Sequence, residues 1–208
     1  MSLIQIEVQH GYARCAVDTR ITGAQVPDLP TPEASKMFAI PHAGCLAAAR
    51  GGIVAFAFVS AVLMGPRTHD FDSIVENLSE TVSQISQGFP ASGCEPVLQF
   101  FVIGWSNASH RMDVAGFEID LRNNRCERTP VEQRLIGPPL PLDCRYGFHG
   151  LATDDAMHEV ARLQLQSMTE IDPQGVTGGR LLVAEVTRHE IRIHDAGPIR
   201  EIANLEDG

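Results

Sequence analysis

Lys36 is the only lysine in a chain of 208 residues, and the other fifteen basic residues are arginines. Arginine holds its proton in any protein setting, whereas the lysine ammonium is a compact point charge whose pKa moves readily on burial. A lone lysine in such a chain fits a position where guanidinium chemistry will not serve. It fits equally well an unremarkable strand surface, and residue type alone leaves both readings open.

The other reactive residue types carry less. The segment HEIRIH places His189 and His194 five residues apart, one too many for one helix face and the wrong parity for one strand face. His42, His149 and His158 are far apart in sequence, and their spacing points to no metal. Cys15, Cys45, Cys94, Cys126 and Cys144 are odd in number, with no C-x-x-C pair. That pattern suits reduced core thiols in a cytoplasmic protein better than a disulfide frame or a zinc site. Asp154 and Asp155 fit the first turn of a helix. The chain contains no G-x-S-x-G elbow, no phosphate-binding P-loop and no dinucleotide fingerprint.

Composition narrows the class further. Hydrophobic residues make up 44% and charged residues 20%, as in an ordinary globular domain, so one domain over 1–208 is expected. A net charge of −10 without a basic cluster argues against a nucleic-acid partner. The run GIVAFAFVSAVLMG, residues 52–65, is too short to span a bilayer and reads as a buried helix, and no secretory leader pattern opens the chain. No membrane partner is expected.

The elements that must position these residues are legible from periodicity. IQIEV and YARCAVD alternate as strands around His10-Gly11, and KMFAIP and CLAAA pair around His42-Ala43-Gly44. Residues 24–35, with three prolines, read as a loop. FDSIVENLSETVSQIS carries Ile74, Leu78, Val82 and Ile85 as one helical stripe. VLQFFVIGW and MDVAGFEID form a strand pair, and TDDAMHEVARLQLQSMTEI a helix capped by Thr153. GGRLLVAEVT and EIRIHD close the chain before a frayed tail, 201–208. Residues 122–150 read as an irregular loop. The order β-β-β-β-α-α-β-β-α-β-β predicts an α+β fold, a four-layer αββα sandwich of two antiparallel sheets flanked by helices.

The segment CAVDTRITG, followed by KMFAIP and then GCLAAARGG, resembles the N-terminal part of proteasome β-subunits and the related bacterial peptidase rings. These are N-terminal-nucleophile hydrolases. Asp18, Arg20 and Thr22 fill the family's D-x-R-x-T, and Lys36 falls where its active-site lysine falls. VTGGRLLVAEVTRHEIRI resembles the family's closing strand pair. The resemblance covers most of the chain outside 122–150.

It implies a nucleophile that is the mature first residue, whose own α-amine acts as base. Counting back from Asp18 puts that position on Ser2, exposed once Met1 is removed. Lys36 would lower the pKa of the hydroxyl and amine, Asp18 would hold the lysine, and Arg20 and Thr22 would border the substrate. The oxyanion donor would be the N–H of Ala49 or of Gly51. No metal or organic cofactor is implied, and the partners are further copies of the chain (a ring or dimer) and a peptide or small amide. This sequence departs from the pattern in several places. Ser replaces Thr, the turn A-G-x-x-G-D reads Ala48-Ala49-Arg50-Gly51-Gly52-Ile53, and no G-S-G is found in CRYGFHG. The same features therefore also describe a catalytically silent structural or assembly subunit. An unrelated α+β small-molecule-binding domain would lack the two-sheet sandwich.

Overall fold

A computed structural model describes residues 2–20, 33–65, 69–140, 150–171 and 178–199. The chain opens with a hairpin, β1 (Ile4–Val8) and β2 (Tyr12–Asp18). A second hairpin follows, β3 (Met37–Ile40) and β4 (Cys45–Gly51), joined by a single 3-10 turn over Pro41–Ala43. Gly44 closes that turn at φ 62°, a conformation that costs glycine little.

Helices α1 (Ile53–Leu63) and α2 (Phe71–Ser86) come next, then β5 (Val97–Ser106) and β6 (Arg111–Asp120). After them stand β7 (Arg125–Thr129), β8 (Arg134–Gly137), α3 (Asp154–Ile171), β9 (Arg180–Thr187) and β10 (Ile191–Pro198).

The strands form two five-stranded antiparallel sheets, β10-β9-β2-β1-β8 and β3-β4-β5-β6-β7. Alternation along each strand assigns its two faces. In β2, Ala13, Cys15 and Val17 enter the core between the sheets with Ile4 and Ile6, Leu46 and Ala48, and Phe101 and Ile103. Ala16 faces the other way, joining Leu3, Val160, Ala161 and Leu165 beneath α3. In β4, Ala47 and Ala49 pack beneath α1 and α2 with Phe56, Ile74 and Phe100. Three cores therefore separate four layers, the αββα sandwich that the element order predicts.

The helices form where expected. The stripe Ile74, Leu78, Val82 and Ile85 is buried, and Asp70 caps α2 by accepting from the Ser73 N–H at 2.8 Å while the Ser73 hydroxyl meets the Asp70 N–H. Thr153 caps α3 through the Ala156 N–H at 3.1 Å. Helix α1 buries Ala55, Phe56, Val59 and Leu63, but Val62 and Met64 are exposed, so the expected buried helix is buried on one side only.

Residues 122–150 are not irregular throughout: β7 and β8 occupy the outer positions of the two sheets. RCERT shows no hydrophobic alternation because a sheet edge favours charge over apolar pattern. RLIG offers only four residues ahead of two prolines. Residues 141–149, the loop 24–32 and the tail 201–208 lie outside the described residues.

Candidate active site

The register Ile4↔Val17 sets Leu3 opposite Asp18, where β2 ends beside the start of β1. The Leu3 N–H donates to Asp18 Oδ1 at 2.8 Å, and the Lys36 ammonium lies 2.8 Å from the same oxygen. The Gly178 N–H donates to the other oxygen at 3.2 Å. One fully buried carboxylate thus ties together the first residues of β1, the approach to β3 and the entry to β9.

Lys36 is itself buried, one residue ahead of β3, and its carbonyl accepts the Ala49 N–H at 2.9 Å. Among the described residues its ammonium meets no acceptor beyond the Asp18 contact, so N–H capacity remains unspent. Burial pushes the Lys36 ammonium below the ordinary lysine value. Asp18 opposes that shift, and the Arg50 charge adds to it. Burial likewise pushes the Asp18 carboxyl up, against the pull of Lys36 and the two amides.

Ser2 is buried next to this carboxylate, and its carbonyl accepts from Arg50 Nε at 2.9 Å. The two expected oxyanion donors differ. The Ala49 N–H is committed to Lys36. Strand alternation turns Ala49 and Gly51 toward the β3 side of β4, and Gly52 toward β5, where its N–H meets the Val97 carbonyl at 3.0 Å. β3 ends its pairing at Ala48, so the Gly51 N–H points to the open side beyond it. Gly51 has φ 107°, and a Cβ there would sit 2.5 Å from the Val97 carbonyl oxygen. Close backbone approach therefore demands glycine at this position.

Arg20 continues past Asp18; its N–H donates to the Gly178 carbonyl at 3.2 Å, and the residue bridges Glu33. Thr22, Met1, Cys144 and His149 lie outside the described residues. Sequence reasoning missed Thr19, whose hydroxyl accepts the Arg180 N–H at 2.9 Å and donates to Glu33 at 2.8 Å. It also missed Arg50, Leu3 and Gly178. Only Arg50 left a signal, as a charged residue inside an otherwise small-residue turn.

Among the described residues, the remaining reactive types do not gather. Burial pushes the Cys15 thiol far up and the Cys45 thiol up to about 12, so both are inert. Cys94 and Cys126 are free and half-buried. No His, Cys, Asp and Glu group among the described residues has a metal-binding arrangement. His189 precedes β10 in the turn rather than standing on the strand, and His194 contacts Asp154 at 2.8 Å. Asp154, expected only to favour the helix start, also binds Arg14.

No family model and no curated protein matches the sequence. The structure is similar to solved structures, among them Anbu (ancestral beta-subunit) from Yersinia bercovieri. That match has a TM-score of 0.62 at 12% identity and covers 95% of this chain and 88% of the other. At that identity the likeness establishes a proteasome-like fold. No helix among the described residues is long and apolar enough to cross a membrane.

Proposed function

We propose that this chain is a proteasome-like N-terminal-nucleophile hydrolase of peptide or small amide bonds. Removal of Met1 makes Ser2 the first residue. Its Oγ attacks the substrate carbonyl while its free α-amine takes the hydroxyl proton. The oxyanion is met by the Gly51 N–H rather than that of Ala49, which Lys36 occupies. Collapse expels the amine, which leaves with the proton from the α-amine. Water then attacks the seryl ester, releasing the acid and restoring Ser2.

Lys36 holds positive charge beside Ser2 and favours the deprotonated hydroxyl and amine; Asp18 positions Lys36. Arg20 and Thr22 border the substrate groove. No cofactor takes part. The chain works in the cytoplasm, as the free cysteines among the described residues suit, and as a ring or dimer of identical copies, in keeping with a structural neighbour whose name is that of a β-subunit.

The observation that carries this reading is the shared Asp18 Oδ1. It holds the Lys36 ammonium and the N–H directly after Ser2 at 2.8 Å each, so the ammonium and Ser2 cannot be far apart. A competing reading, a catalytically silent assembly subunit, draws on the burial of Ser2 and on the Ala49 N–H already committed. Hydrolysis of fluorogenic N-acyl tripeptides separates them. We expect Ser2→Ala to lower turnover about 10³-fold and Ser2→Thr to retain it. Equal turnover by Ser2→Ala, or none by the methionine-processed parent, removes the hydrolase reading.

A further inference from the structure

The end of the sandwich away from Ser2 holds a cavity that no step of the proposed reaction uses. Val8 ends β1 about 20 Å from Ser2, at roughly 3.3 Å per residue. Beside it a cavity of about 150 Å³ opens between the sheets. Met112 and Val114 of β6, and Val131 in the crossover from β7 to β8, complete its apolar lining. Its polar lining includes Arg111, Asp113 and Glu132.

Strand pairing explains the gap. β6 begins at Arg111, but β7 pairs with it only from Gly116 onward. After Thr129 the chain crosses to the other sheet, where the Gln133 carbonyl accepts the Val8 N–H at 2.7 Å. Val131 settles over Gly116, and a Cβ there would collide with it. The edge of β6 ahead of Gly116 therefore has no neighbouring strand. The Met112 N–H on that edge donates to the His10 carbonyl at 3.0 Å, and alternation turns Val114 the same way. Instead of a strand, the Val114 N–H meets Oδ1 of the preceding residue, Asp113, at 2.9 Å. The charges around the gap are also unmatched. Among the described residues Arg111, Asp113 and Glu132 enter no ion pair, whereas Arg125, Arg180 and Arg192 on other strands each meet a carboxylate.

We infer that this cavity is a binding site for a free α-amino acid with an apolar side chain. The ligand carboxylate accepts from the Val114 N–H in place of Asp113 and pairs with Arg111. The ligand ammonium pairs with the released Asp113 and with Glu132. The side chain fills the space among Val8, Met112, Val114 and Val131, since a cavity of about 150 Å³ holds a group of about benzene's size. Unmatched charges of both signs on one small cavity suit a zwitterion; a simple anion or cation would leave one sign unmet. The site stands apart from Ser2, so the inference is independent of whether the chain is a hydrolase or a silent subunit.

The test titrates the full chain with L-leucine as the probe, followed by amide and methyl NMR. Glycine, N-acetyl-L-leucine and L-leucinamide serve as controls. Leucine is expected to shift the signals of Val8, Val114 and Val131. Each control should bind at least about tenfold more weakly, because it lacks the side chain or one of the two charges. Arg111→Gln and Asp113→Asn should each weaken leucine binding at least about tenfold, while Ser2→Ala leaves it unchanged. No shift at these three valines up to about 10 mM leucine overturns the inference. Equal affinity for N-acetyl-L-leucine or L-leucinamide overturns it as well. Binding that is lost in Ser2→Ala but survives in Arg111→Gln and Asp113→Asn places leucine at the Ser2 end and overturns it too.

Discussion

The β1–β2 hairpin carries buried charge at both of its ends, and the two ends are built differently. Toward the hairpin turn, Glu7 accepts from Arg134 at 2.9 Å and from the Leu151 N–H at 2.6 Å. Arg14 binds Asp154, donates to the Leu151 carbonyl at 3.3 Å and lies 3.4 Å from Glu185. Among the described residues, only Arg14 Nε of the hydrogen-bonding atoms on these two buried side chains goes unmatched. At the open end, the Lys36 ammonium has one carboxylate contact and no other acceptor among the described residues.

The first cluster pins α3 to the sheet and is close to saturation. The second is undersupplied with acceptors, beside the backbone of Ser2. Burial alone marks neither as chemical; unspent capacity next to Ser2, the proposed nucleophile, distinguishes the second.

The comparison breaks most sharply at Lys36. Lys36→Arg should lower turnover about 10²- to 10⁴-fold while assembly stays intact, because the forked guanidinium cannot occupy the ammonium's place. Steady-state kinetics with native mass measurement of the assembly would check this. At the other end, Arg14→Ala should cost about 1–3 kcal/mol of stability by leaving Asp154, Glu185 and the Leu151 carbonyl without their donor, as denaturant unfolding would record. The fraction of folded protein labelled at Ser2 should not change.

A pH profile sharpens the contrast. In the proposed reaction Lys36 acts as the ammonium, and burial with the nearby Arg50 charge depresses its pKa. Activity should therefore be present below that depressed pKa and lost as pH rises through it, short of the ordinary lysine value of 10.5. Arg50→Gln removes a like charge and should move this alkaline limb upward. In the saturated cluster, His194 and Arg14 hold Asp154 below the ordinary carboxylate value despite the burial that opposes them. Its contribution to stability should be present above pH 3.8 and fade as pH falls through the depressed value. The smallest effect is expected far from both ends: Asp70→Ala removes the α2 cap and should cost about 1 kcal/mol, with turnover unaffected.

The sandwich was legible because its layers bury one face of most elements, so period-2 and period-3.6 patterns survive in the sequence. Phe71–Ser86 and the first two hairpins follow those patterns closely. The edge strands β7 and β8 were not legible, since an exposed edge imposes no apolar alternation.

The Asp18–Lys36 pairing was anticipated through resemblance to a family, and the structure brings the two residues to 2.8 Å. The amide donors of Leu3 and Gly178 were not readable, because a backbone N–H leaves no trace in residue type. Nor could the sequence separate Ala49 from Gly51: only the register of β3 on β4 shows which N–H is already spent. Arg50 was visible as a departure from the turn pattern, but its reach to Ser2 depends on the two sheets closing over each other.

The most direct test is the mass of the protein after methionine processing and exposure to the β-lactone, followed by mapping of the adduct. The account predicts loss of Met1, a single adduct on Ser2 in the parent and none in Lys36→Arg. Retained Met1, or an unmodified Ser2 at every pH between about 6 and 9, would contradict it.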